Sequence, residues 1–160
     1  MKTTLLTLSL VFSLSVFAQT HQLVKHDGSE HPVNFIKHET DLIHYSHPES
    51  FEHQKMSSHA VATLKNIKTS EIKIISDKVE VLTKSDYDKV KVLNQPDESI
   101  GLKQVAVFKG QLNKTKGISS SEQFDKTIRH AKYKAADKGY PFIAVNKKLN
   151  GTYEAIAYNY

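Results

Sequence analysis

The chain contains no cysteine. That absence excludes a disulfide framework, an iron–sulfur cluster, a thiolate zinc site, a cysteine nucleophile and a lipoprotein anchor. Glycine is also scarce, with six in 160 residues, and neither Gly-x-Gly-x-x-Gly nor the phosphate-binding Gly-x-x-x-x-Gly-Lys pattern occurs. The strained Gly-x-Ser-x-Gly elbow that presents a serine nucleophile is missing, and so is His-Glu-x-x-His. Carboxylate pairs such as Asp86 and Asp88, or Asp97 and Glu98, sit beside turn-forming residues, where solvation accounts for them. Together these absences point away from an enzyme. Beyond residue 18 there is no apolar run near the roughly 20 residues that span a bilayer, so no transmembrane segment is expected in the mature chain.

The N-terminus has what the rest lacks. Met1-Lys2 precedes an apolar stretch from Leu5 to Val16, and Val16-Phe17-Ala18 places small residues at the −3 and −1 positions before Gln19. This reads as a secretory signal peptide over residues 1–18, cleaved near Ala18, which predicts a periplasmic or secreted protein. Thr7, Ser9, Ser13 and Ser15 interrupt the stretch, and it is too short for a membrane anchor. The formal charge is +5, of which Lys2 supplies one unit. The remaining lysines alternate with acids, as in Asp77-Lys78-Val79-Glu80, rather than gathering on one face, so no nucleic-acid partner is expected.

Histidine is distributed unevenly, with eight of nine between His21 and His59 and only His130 beyond. Two regions follow. Residues 19–84 read as a histidine-rich antiparallel β region with strands over 22–26, 32–37, 41–46, 51–56, 61–64, 71–76 and 78–82, broken at Asp27-Gly28 and His47-Pro48-Glu49. Residues 85–160 read as a ββαββ domain, its first strands at 88–93 and 103–109. Ser119-Ser-Ser-Glu122 offers a capping box, after which Phe124, Ile128, Ala131 and Ala135 form one stripe of an amphipathic helix that Gly139 and Pro141 end. Asn150-Gly151 then joins strands over 142–146 and 152–159. The fold class is α+β.

The C-terminal run Leu102-Lys-Gln-Val-Ala-Val-Phe-Lys-Gly110, the helix end Ala135-Ala136-Asp137-Lys138-Gly139, Phe142-Ile-Ala-Val145 and Ala155-Ile-Ala-Tyr158 resemble the strand–helix–hairpin core of small envelope proteins of the YbjQ-like and RcsF-like families. The resemblance covers about the last 75 residues and implies fold and location. The RcsF-like sensors are cysteine-bearing lipoproteins, so their anchor and disulfides do not carry over, and no functional residue matches. Leu23-Val-Lys-His-Asp-Gly28, with Ile43-His-Tyr45 downstream, is similar to a hairpin that opens many small signal-bearing envelope proteins of unknown role.

Three functional readings emerge, and catalysis is set aside for want of a motif. The first is a noncatalytic envelope or secreted binding protein whose partner is an unknown envelope protein or surface component. Tyr158 and Tyr160 are candidates for an exposed edge, while Tyr153, Ala155 and Ala157 share a face expected to be core. The basic residues Lys126, Arg129, Lys132 and Lys134 are candidates to meet anionic headgroups or polysaccharide. The second reading is binding of a Zn, Cu or Ni ion by the N-terminal histidines. A loop centred between Gly28 and Ser29 would set His26 opposite His31, close enough for two imidazoles to share a metal. His44 and His47 form a second candidate pair, three residues apart in a strand and so on opposite faces unless the Pro48 turn starts at Ser46. The bland alternative is that the histidines are solvated side chains that take up protons on mild acidification, and then no cofactor is involved.

Overall fold

A computed structural model describes residues 20–50, 52–111, 119–148 and 151–160. The expected signal peptide, Phe51 of the expected strand 51–56, and Asn150 of the Asn-Gly turn lie outside the described residues. The protein is a mixed α+β structure of two sheets and one long helix. None of the described helices is long and apolar enough to cross a membrane.

The first sheet contains six antiparallel strands: β1 (His21–Lys25), β2 (Glu30–Glu39), β3 (Leu42–Ser46), β4 (His53–Ser57), β5 (Val61–Asn66) and β6 (Ile72–Ile74), in the order β4-β3-β2-β1-β5-β6. The long strand β2 pairs with β1 through Glu30–Val33 and with β3 through Asn34–Glu39, with a register shift between Phe35 and Lys37. Leu23, Val33, Ile43, Tyr45, Val61 and Leu64 form its buried cluster. Alternation of buried and solvent-facing residues, as at Ile43 and Tyr45 around His44, is what fixes which face of each strand meets that cluster.

The β1–β2 register differs from the expectation. Leu23 pairs with His31 and Val24 with Glu30, while the Lys25 amide donates to the Ser29 carbonyl at 2.9 Å. The connection is therefore the three-residue loop His26-Asp27-Gly28, not an even-membered one. Gly28 is its last residue, at φ +86°, as in a turn that closes on a left-handed glycine. The Asp27 carboxylate accepts from the Ser29 hydroxyl and amide, which with Lys25 holds it well below the usual carboxylate range. An odd-membered loop moves the centre of pairing to Asp27, and His26 loses its place opposite His31.

Beyond Ile75 a segment outside both sheets runs through residues 76–82, where a strand over 78–82 is expected from the sequence. Val79 and Val81 instead pack into the core of the second sheet, and the Val79 amide donates to the Tyr160 hydroxyl at 2.7 Å. The expected strand 88–93 is also shorter. A 3-10 helix, Lys84–Lys89, takes its beginning, because the Asp86 carboxylate gathers Lys89 and the Leu82 and Thr83 amides. Only β7 (Lys91–Val92) remains as a paired strand.

The second sheet has the order β7-β9-β10-β8, with β8 (Lys103–Gln111), β9 (Phe142–Lys147) and β10 (Thr152–Asn159). β10 is antiparallel to both β8 and β9, whereas β7 runs parallel to β9. Helix α1 (Ser120–Ala136) is capped by Ser119, whose hydroxyl accepts from the Glu122 amide while Glu122 accepts from the Ser119 amide. It ends with Gly139 at φ +70°, where the Tyr140 and Gly139 amides reach the Ala135 and Ala136 carbonyls. Its buried residues are Thr127, Ala131, Ala135 and Ala136, with Phe124 and Ile128 only partly covered. Ala131, Ala135 and Ala136 meet Ile143, Tyr153, Ala155 and Ala157 of the sheet, and the Thr127 hydroxyl donates back to the Gln123 carbonyl.

The sheets meet at fully buried Phe142. Its ring contacts His59 at 5.5 Å and Tyr160 at 5.3 Å, and Tyr160 in turn packs on His26 at 4.7 Å. The Ser57 amide donates to the Ile100 carbonyl, and Lys55 pairs with Asp97, across the same junction.

Candidate functional site

The four histidines singled out from sequence go to four different surroundings. His26 lies in the β1–β2 loop, with its Nε2 2.9 Å from the Ser76 hydroxyl and its ring against Tyr160. Burial, with Lys78 nearby, lowers its pKa. His31 stands opposite Leu23 on β2. β3 runs through Ser46 without turning, so His44 and His47 do not converge; His47 instead meets Tyr45 edge-on at 5.9 Å. Two of the other histidines are structural neighbours of the core. His38 Nε2 lies 2.9 Å from the Ser58 hydroxyl, and His59 packs on Phe142 with its pKa lowered by burial and by Lys91.

His44 does find an imidazole partner, but it is His53. The two strands β3 and β4 pair Ser46 with His53 and His44 with Lys55, so the two histidines are diagonal neighbours on one face. His44 Nδ1 and His53 Nε2 are 3.1 Å apart, with ring centroids separated by 5.0 Å. The signal was present in the sequence: strands over 41–46 and 51–56, aligned evenly as antiparallel neighbours, already bring residues 44 and 53 together. Among the described residues no group of three or more His, Cys, Asp or Glu side chains converges as a metal cage.

The second candidate is a groove between α1 and the end of the second sheet, with a cavity volume of ≈ 430 Å³. Lys126, His130 and Lys134, at successive turns of one helix face, form one wall, and Gly110 and Tyr153 form the other. Gly110 is required there by close approach. A Cβ at that position would lie 2.4 Å from the ring of Tyr153, its cross-strand partner. The bare glycine backbone thus makes room for the tyrosine ring, and burial raises the pKa of Tyr153, so it stays a neutral phenol.

This groove continues in both directions. Through Gly110, Gln111 and Tyr153 it runs into a depression walled by Lys109, Lys148 and Glu154, and through His130 and Lys134 into one walled by Lys84, Tyr133 and Asp137. Five lysines thus face the band against two acids, and one of those acids, Glu154, is paired with Lys148 at 3.0 Å. Of the four basic helix residues read from sequence, Lys126 and Lys134 line the groove and Arg129 and Lys132 do not. Tyr160, expected at an exposed edge, is instead half-buried at the sheet junction.

Such a site defines a class before it defines a protein: a mixed α+β fold carrying a lysine-lined surface groove and, on its other sheet, a close imidazole pair. Comparison of the chain with protein-family models, curated proteins and solved structures finds no match.

Proposed function

We propose that the protein is a noncatalytic binding module of the cell envelope, periplasmic or secreted after removal of residues 1–18, and that it holds an acidic polysaccharide along the groove beside α1. In this reading residues 85–160 act as a ββαββ unit whose helix turns its small residues to the sheet and its lysines to the ligand. The observation that carries the proposal is the run of Lys126, His130 and Lys134 facing Tyr153 and Gly110 in one groove, with Lys84, Lys109 and Lys148 extending it. An extended, repeating polyanion matches an extended band of ammonium groups. Ammonium groups on flexible stems suit loosely spaced anionic groups, whereas planar bidentate recognition of a single carboxylate would call for arginine.

The test is calorimetric titration of the mature protein with size-defined heparin fragments as a sulfated probe. Binding at low salt should weaken steeply as ionic strength rises, because exposed charge pairs are screened within about 10 Å at 0.1 M salt. K126E/K134E should lower affinity by tenfold or more, while R129E/K132E, off the groove, should change it far less. Equal losses in the two variants would mean that charge alone, not the groove, collects the polyanion.

A further inference from the structure

We infer that His44 and His53 form a two-imidazole site for a borderline divalent cation of the Zn2+, Ni2+ and Cu2+ class, water completing its coordination. This is a second site, on the other sheet from the lysine-lined groove. Metal–imidazole bonds of about 2.0–2.1 Å place two nitrogens about 2.9 Å apart at a right angle and about 3.35 Å apart at the tetrahedral angle. The observed 3.1 Å between His44 Nδ1 and His53 Nε2 falls between those limits. The separation of the two nitrogens is thus already that of two ligands on one ion.

The pair is also held in place. Ile43 and Tyr45, on either side of His44, are buried in the core of the first sheet, which fixes the direction in which His44 projects. His53 is fixed by the β3–β4 register. The surroundings tolerate a cation. Lys37 and Lys55 stand opposite His44 on the two neighbouring strands, but each is already paired with a carboxylate, Lys37 with Glu39 and Lys55 with Asp97. A groove of ≈ 340 Å³ beside His44 is lined by Glu39, Asp41, Asp97 and Glu98 against the single lysine Lys55.

The exchange balances simply. Without metal, one neutral ring donates an N–H to the other. On binding, the donating ring moves that proton to its second nitrogen, both facing nitrogens offer lone pairs, and two waters leave the hydrated ion. No oxidant or net proton release is required.

The experiment is a Zn2+ titration of the 15N-labelled mature protein at pH 7.5 in a non-coordinating buffer, read from the imidazole nitrogen resonances. His44 Nδ1 and His53 Nε2 should shift together and saturate at one equivalent. In H44A the His53 response should weaken at least tenfold, and H53Q should do the same to His44, while H26A/H31A leaves both responses unchanged. Both substituted side chains face solvent, and circular dichroism matched to the wild type verifies the fold. A His53 response with the same midpoint in H44A would overturn the site, as would shifts spread over all the imidazoles without saturation at one equivalent.

Discussion

The six-stranded sheet buries Leu23, Val33, Ile43 and Val61 from four of its strands, whereas the four-stranded sheet meets its helix through Ala131, Ala135, Ala155 and Ala157. Large branched side chains make up the first cluster. Alanines do the opposite work and let a helix approach the sheet closely, which leaves the outer helix face free for lysines. Charge follows the same division. Eight histidines belong to the first half and one to the second. Phe142, packed between His59 and Tyr160, is the point at which they are joined.

The largest effect should therefore come from that junction. Phe142→Ala removes a fully buried ring that both halves touch, and loss of such a side chain costs about 3–5 kcal/mol. Urea unfolding should show a lower midpoint, and amide exchange should quicken around His59 as well as in β9. If exchange quickens in β9 alone, the two sheets are not stabilised through this ring.

Acidification should separate the halves with a smaller effect. His26 and His59 are pushed below the ordinary value of about 6.5, mainly by burial, with Lys78 and Lys91 adding to it and Asp77, Asp41 and Glu98 opposing. Their neutral forms are favoured in the folded state. Between the lowered folded value and about 6.5 the unfolded chain binds more protons, so stability falls as pH drops through that window and levels off below it. Urea midpoints measured between pH 7.5 and 5 should decline, and His59→Gln should flatten the slope. An unchanged slope in that variant would move the effect to other histidines.

The helix cap gives the smallest and most local change. Ser119→Ala removes the acceptor for the Glu122 amide and should cost about 1 kcal/mol. Exchange should quicken in the first turn of α1 and leave the first sheet untouched.

Much of the second half could be read from residue order. A serine three places before a glutamate, and a glycine followed by Tyr-Pro, are local signals, and the helix ends where they say. The inward face of β10, Tyr153, Ala155 and Ala157, follows from a period of two. What could not be read locally was pairing. Whether Gly28 belongs to an odd or an even loop decides which residue faces His31, and both loops are consistent with Asp-Gly. Val79 and Val81 alternate like a strand because they pack like one, yet no neighbouring strand takes up their amides. The histidine pair that forms, 44 with 53, lies on two strands joined by a connection containing Pro48, so only the pairing of those strands brings it together.

The register shift in β2 has its own consequence for how this surface is encoded. Before Ile36, odd-numbered residues such as Val33 and Phe35 face the core; after it, even-numbered His38 pairs with buried Ile43, and Lys37 turns outward beside His44. Ile36 is thus a spacer that reverses the reading frame of inside and outside within one strand. Its role lies in its presence rather than in its side chain, which is 52% exposed. The chemistry of the β3 face is in this sense written in the bulge: with Ile36 paired in the ladder instead of left out of it, Lys37 would turn inward and the His38 imidazole outward.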